Sequence, residues 1–501
     1  MALALAPEVR SADAGVHTLL ERHRLSRARV PGSRSSVNRL TPLILAVALF
    51  MEQMDSTVIA TSLPAIAADI GTEPIALKLA FTAYFVALAI FIPVSGWMAD
   101  RWGARNVFRG AIGVFVIGSL CCAFADSLQT FVMSRFLQGI GASMMTPIAR
   151  LLLIRATPRN QLVGAMAWLT LPGLIGPLAG PPLGGFLTTY FSWHWIFIIN
   201  VPIGLIGIVL VTRFLPKTEA RLPRPIDFKG FLLAAIAFSG LIFGLSVVSL
   251  PALPIMAGLG ALCAGVVATI LYLRHARRTE FPLLDPRVFR NRLFASTVLG
   301  GSLFRIGIGA IPFLLPLMLQ LGFGLNAFES GMITFVGAIG ALTSKFVAER
   351  IYARFGFRRV LIVAGLGSAL LIMAKATFYP ETPIALIMGV LLVGGLLRSI
   401  FFTGINALGY ADIEDTEASQ ATAISAVSQQ ISIALGVAVA GSVLELTTHM
   451  HAGGLGLVDF HVAFLVVGGL SALAALVYMR LPADAGSAVS GHVVRKRKKT
   501  G

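Results

Sequence analysis

Residues 96–105 read Gly96-Trp97-Met98-Ala99-Asp100-Arg101-Trp102-Gly103-Ala104-Arg105, and residues 353–358 read Ala353-Arg354-Phe355-Gly356-Phe357-Arg358. Both contain Arg-aromatic-Gly-x-Arg, and both turns join apolar runs long enough to cross a bilayer. A basic turn recurring in two distant connections predicts a parallel duplication of helical bundles. Transporters built this way hold their substrate between the repeats, near the bilayer midplane. The surrounding composition agrees, since of 501 residues 56% are hydrophobic and only 13% charged, with a mean hydropathy of +0.84. Soluble domains carry roughly a quarter charged residues, so a water-soluble protein is excluded and an all-α polytopic membrane protein is predicted. Spanning-length runs lie near residues 40–62, 78–99, 107–125, 129–153, 163–189, 195–215, 228–249, 254–273, 294–320, 329–348, 359–377, 383–408, 419–446 and 460–480, which makes fourteen. With a six-helix repeat unit, the chain divides into a tail at 1–38, a bundle at 39–217, two inserted helices at 218–275, a second bundle at 276–482 and a basic tail at 483–501.

The same turns set the sidedness. Alternate connections on the face of Arg101, Arg105 and Arg109 carry Arg155 and Arg159, then Arg213, Lys217, Arg221, Arg224 and Lys229. Further along, that face holds Arg274, Arg277, Arg278, Arg287, Arg290 and Arg292, then Arg350, Arg354, Arg358 and Arg359. Opposite connections, near Asp126, Ser192, Gly322 to Asn326 and His449 to Asp459, hold almost no Lys or Arg, with Lys78 and Lys375 the main exceptions. Cytoplasmic loops collect Lys and Arg, which predicts a multi-pass protein of the cytoplasmic membrane with both termini inside, the Arg495 to Lys499 cluster included. The net charge of +17 is then mostly an orientation signal rather than a nucleic-acid footprint. An acidic inner connection at Asp412, Glu414, Asp415 and Glu417 leaves the topology intact, because acids weigh little in this rule.

Further motifs accompany the turn. Met51 to Pro64 contains Asp55-Ser56-Thr57-Val58 and Leu63-Pro64; Arg135-Phe136-Leu137-Gln138-Gly139-Ile140-Gly141-Ala142 gives R-x-x-Q-G-x-G; Gly176, Gly180, Pro181, Gly184 and Gly185 form a glycine-rich pattern in the fifth segment. With Trp193 to Gly204, these resemble, in order and spacing, the major facilitator superfamily, specifically its fourteen-span drug:proton antiporter branch of the EmrB/QacA type. Ser192 to Trp195, Arg305-Ile306-Gly307 and Phe355 to Val360 are similar to an MdtD-like subgroup of that branch. The resemblance implies a major facilitator fold of two six-helix bundles plus a central two-helix insertion, and a transporter rather than an enzyme. Two departures are Ala167, where the fifth-helix motif has a glycine upstream, and Ala353, where the first turn has Asp100.

The candidate site residues are charges at membrane depth. Glu52 and Asp55 share a face of the first helix, and intramembrane acids are expected to face a cavity. A carboxylate held out of water binds a proton more readily, as a proton-coupled exporter requires, although a structural carboxylate pairing with an Arg explains the same residues. Arg135 in the fourth helix could favour the charged form of such an acid in one conformation and give it up in another; the resemblance ties this Arg to proton transfer. Arg305 and Arg398, with Gln138, are candidates for a substrate cavity shared with Asp55. Gly96, Asp100, Arg101, Gly103 and Arg105 make a candidate gating latch. Gly176, Gly180, Pro181, Gly184 and Gly185 permit either close helix packing or bending.

Cys121, Cys122 and Cys263 fall in apolar runs, and the H-x-H at His449 and His451 lacks further ligands, so no metal or disulfide framework is expected. No Gly-rich stretch continues into Gly-Lys-Ser/Thr, which argues against ATP as the energy source, and no cofactor is expected. The expected partners are protons, a small-molecule substrate and the lipid bilayer; nothing names a periplasmic adaptor. The leading reading is proton-coupled export of drugs or other small molecules, and the alternative is export of organic anions or citrate-like metabolites by the buried arginines.

Overall fold

The computed structural model describes residues 40–157, 162–217, 225–248, 254–414, 417–450, 454–482 and 484–486. The 1–38 tail, the cluster Arg495 to Lys499, and Arg159, Arg221, Arg224, Asp415 and His451 lie outside these residues. In chain order the helices are α1 Leu40–Val58, α2 Leu63–Asp69, α3 Lys78–Trp102, α4 Ala104–Ala123, α5 Leu128–Ala156, α6 Leu162–Tyr190, α7 Trp195–Ile198 and α8 Asn200–Phe214. They continue as α9 Phe228–Val248, α10 Ile255–Arg278, α11 Arg292–Leu317, α12 Ala327–Thr343, α13 Ala348–Met373, α14 Ile384–Gly409, α15 Ala418–Met450 and α16 Leu457–Met479. A helical answer is what lipid demands, because each backbone N–H and C=O must be satisfied within its own segment.

Twelve helices among the described residues are long and apolar enough to cross a membrane, and α12 is a shorter apolar helix. The hydropathy count of fourteen is not reached by these twelve spans and one short helix; the other expected segment falls on α6, whose 29 residues include no charged side chain.

Helix pairing repeats along the chain. In the first part α1 packs on α6 and α8, α3 and α4 both pack on α5, and α4 packs on α8. In the second part α11 packs on α15 and α16, α12 and α13 both pack on α14, and α13 packs on α16. The two sets meet where α6 packs on α12 and α3 on α15, while α9, paired with α10, lies against both α3 and α15. The two basic turns match at the level of single bonds. Gly103 and Gly356 both take positive φ, 82° and 73°, a conformation that disfavours any side chain. Arg105 then donates to the Thr212 carbonyl at the end of α8, and Arg358 donates to the Met479 carbonyl at the end of α16.

The two sets are tied together at the end remote from the basic turns. Lys78 Nζ donates to Glu445 Oε2 at 2.6 Å, Gln320 Nε2 to the Thr61 carbonyl at 2.9 Å, and the Phe328 amide to Thr189 Oγ1 at 3.1 Å. An apolar core including Phe81, Phe131, Phe313, Leu319, Val437 and Phe464 fills the same end. This conformation is closed there.

Candidate functional site

Asp55 is fully buried in the first helix set and sits at the centre of a polar network. Its Oδ2 accepts from Arg135 Nη1 at 2.8 Å; its Oδ1 accepts from Gln138 Nε2 at 2.8 Å and from Asn200 Nδ2 at 2.9 Å. Ser119 Oγ accepts from Asn200 Nδ2 at 2.9 Å and from Gln138 Nε2 at 3.2 Å, then donates to the Phe197 carbonyl at 3.0 Å. Arg135 also donates to Gln138 Oε1, and its guanidinium lies 4.4 Å from the centroid of the Tyr84 ring. An ion pair out of water persists only when the remaining lone pairs and protons find partners. Here α1, α4, α5 and α8 supply most of them, and both carboxylate oxygens of Asp55 are bonded, while Arg135 Nε and Asn200 Oδ1 are buried without a hydrogen-bond partner.

Sequence places these groups through close packing. A Cβ at Gly139 would come within 2.6 Å of the Tyr84 carbonyl on α3, and one at Gly141 within 2.5 Å of the Phe115 amide nitrogen on α4. The glycines of R-x-x-Q-G-x-G thus let α5 lie flush against α3 and α4, which brings Arg135 and Gln138 to Asp55. Gly176, Gly180 and Gly184 line one face of α6 against Gln53, Thr57 and Val58 of α1, and Gly185 and Pro181 meet Ala327 and Gly331 of α12. One turn before Asp55, Glu52 is buried and accepts from Thr146 Oγ1 at 2.8 Å.

In this conformation Asp55 and the second-half arginines do not line one cavity together. A cavity of about 190 Å³ between the helix sets is lined at the end of α1 by Thr57 and in the 3-10 turn that follows, Ile59–Thr61, by Ala60, and neither Asp55 nor Glu52 is among its lining residues. Two residues along a helix turn the side chain by about 200°, so Thr57 faces the cavity while Asp55 faces α5 and α8. Gln138 is likewise absent from its lining, sealed in the Asp55 network. Of the two predicted arginines, Arg398 lines the cavity; Arg305 does not, lying instead 5.3 Å from the Phe402 ring centroid within the second set. The cavity's second cation is Lys375, whose Nζ donates to the Leu371 carbonyl at 2.9 Å.

At the first basic turn, Arg155 Nη2 donates to Asp100 Oδ1 at 2.9 Å, tying α3 to α5 within the first set. Arg101 is exposed, and a Cβ at Gly96 would meet open space. Of the latch residues, Asp100 and Arg105 thus make contacts inside the first helix set in this conformation.

Sequence reasoning passed over Asn200, Ser119, Lys375 and the Lys78–Glu445 pair. Lone polar residues inside apolar runs were the available signal for Asn200 and Ser119. The two lysines showed only as exceptions to the charge count.

A duplicated helical bundle with a buried ion pair in one half and a cavity between the halves is the architecture of a secondary transporter. The chain belongs to the Major Facilitator Superfamily, whose family model matches residues 45–437 and, separately, 297–499. Among curated proteins it is 38% identical over 469 residues to "Putative multidrug resistance protein MdtD" of Cronobacter sakazakii, covering 91% of this chain and 96% of that one. The protein of the same name from Escherichia coli is 36% identical over 449 residues, covering 88% and 94%. Among solved structures, a D-xylose-proton symporter matches with a TM-score of 0.66 at 16% identity, over 90% of this chain and 99% of that one. The POT family transporter PepTSo matches with a TM-score of 0.67 at 16% identity, over 88% and 97%. These last two likenesses show the fold.

Proposed function

We propose that this transporter is proton-coupled and exports drugs or other small molecules across the cytoplasmic membrane by alternating access. It does so with fourteen spans, α6 and α12 included, arranged as two six-helix bundles with α9 and α10 inserted between them. Both termini lie inside, as the basic connections require. The observation that carries the reading is the Asp55–Arg135 pair, a carboxylate and a guanidinium excluded from water, with the carboxylate bonded by side chains of α5 and α8. Protonating Asp55 removes the charge that holds Arg135 and two amide donors, which loosens α1 from α5 and α8. Because α1 also packs on α6, and α6 meets α12, that loosening reaches the seam between the bundles. Glu52, on the same helix face and bonded to Thr146, is the second proton-bearing group. The relatives named for multidrug resistance support the substrate class.

The test is Asp55→Asn in proteoliposomes with an imposed pH gradient and a library of candidate substrates. The variant inserts normally and loses proton-driven flux; undiminished pH-driven flux overturns the assignment of Asp55.

A second reading, export of organic anions, is favoured by one observation. Arg398 and Lys375 both line the cavity between the bundles, and no carboxylate is among the described residues lining it. Flux of a citrate-like anion that collapses in Arg398→Ala or Lys375→Ala, with cationic dyes unaffected in both, promotes this reading over the first.

A further inference from the structure

A cavity on the basic face lies outside the transport path. It encloses about 820 Å³ where α10 gives way to α11, and Arg277, Arg287, Arg290, Pro286 and Phe289 line it. The chain between the two helices is held as a fixed frame. Tyr272 Oη donates to the Leu284 carbonyl at 2.8 Å and accepts from the Leu284 amide at 2.7 Å; the Asp285 amide donates to Gln420 Oε1 at 3.0 Å; Asn291 Nδ2 donates to the Asp412 carbonyl at 2.9 Å. A short 3-10 turn, Pro286–Arg290, begins at Asp285, whose side chain accepts from the Arg287 amide, and is pinned by the buried Val288. Arg287 Nη2 reaches the Arg277 carbonyl at 3.3 Å, which brings the two strands of the cavity wall together.

Two features of this frame point to one kind of ligand. First, the cavity wall carries three guanidinium groups, of which Arg287 lies 3.9 Å through Nε from Asp285, while among the described residues Arg277 and Arg290 form no ion pair. Three guanidinium groups around a common opening favour an anion with several acceptor oxygens, such as a phosphate. Second, the surface beside the opening is apolar and uncovered: Ile270, Leu271 and Leu273 on the last turns of α10 are exposed, as are Phe281 and Phe289 on the connection. A soluble anion makes no use of that surface, whereas the acyl chains of a lipid cover it. Because a membrane span ends at Arg278 and the next begins at Arg292, the cavity lies at the level of the headgroups.

We infer that this cavity binds the headgroup of an anionic phospholipid of the inner leaflet, with its phosphodiester between Arg277, Arg287 and Arg290 and its chains against the end of α10. The inference is independent of the transport reading, since none of these residues belongs to the Asp55 network or to the cavity between the bundles.

The test uses the full-length protein in neutral detergent, incubated with phosphatidylglycerol or phosphatidylcholine and examined by native mass spectrometry. The wild type retains phosphatidylglycerol over phosphatidylcholine, and Arg287→Gln with Arg290→Gln lowers that retention by about five-fold per arginine, as expected for an arginine at a lipid surface. A control, Arg354→Gln with Arg359→Gln, removes the same charge from exposed sites on another basic turn and leaves retention unchanged. Melting temperatures without lipid confirm that all variants are folded. Equal losses in both double variants show general electrostatic attraction and overturn the site. Displacement of the lipid by millimolar inorganic phosphate shows a soluble-anion pocket and overturns the lipid assignment.

Discussion

Lys78→Met offers the sharpest test of how the two bundles are held shut. Lys78 begins α3 and Glu445 lies in the last turns of α15, so their 2.6 Å ion pair spans the seam and must part whenever that end opens. Both side chains are buried, at 0% and 6% exposure, and the lysine stem runs over Gly441, which leaves it room. Removing one member of such a pair strands the other and costs about 3–5 kcal/mol. Because the loss falls on the closed state alone, it moves the closed-to-open ratio by roughly a hundred- to several-thousand-fold. Replacing both members with apolar side chains of similar length avoids the stranded charge, so Lys78→Met with Glu445→Leu recovers most of the closure.

Cysteine accessibility reads this directly. In a background lacking Cys121, Cys122 and Cys263, a cysteine placed at Leu315 in the cavity wall is challenged with a membrane-impermeant maleimide from each side of the membrane in turn. From the side remote from the basic turns, Lys78→Met or Glu445→Gln raises the labelling rate at least ten-fold, and the double variant returns it towards the parent. Parental labelling in both single variants refutes the claim that this pair holds the closed state.

Gly139→Val forces new atoms against the Tyr84 carbonyl, which a Cβ alone would meet at 2.6 Å, and lowers stability by about 1–3 kcal/mol, read as earlier thermal melting in detergent. Gly103→Ala places a side chain at φ 82° and costs about 1–3 kcal/mol of backbone strain; Gly356→Ala behaves alike, so a harmless Gly103→Ala with a damaging Gly356→Ala breaks the equivalence of the two turns. Asn200→Leu removes a donor from Asp55 and a bond from Ser119. It costs about 1.5–3 kcal/mol and shifts the pH profile of transport, whereas a merely structural role lowers the melting temperature and leaves that profile in place.

The sequence alone determined the parts that depend on local composition. Apolar runs of spanning length, basic alternate connections and the repeated Arg-aromatic-Gly-x-Arg turn are readable along the chain, because lipid imposes helical structure and charge sets its side. The glycine motifs were legible as patterns, and their spacing already implied close helix contact. Which residues those contacts assemble was decided only in three dimensions. Asn200 joins Asp55 across 145 positions and Lys78 joins Glu445 across 367; nothing in the apolar run around either residue encodes its partner. Helix phase decided the rest: it turned Asp55 into the first bundle and Thr57 into the cavity, separated Arg305 from Arg398, and set Lys375 beside Arg398. A sequence fixes how far apart two side chains lie along one helix, but the packing of neighbouring helices decides which of them faces protein, cavity or lipid.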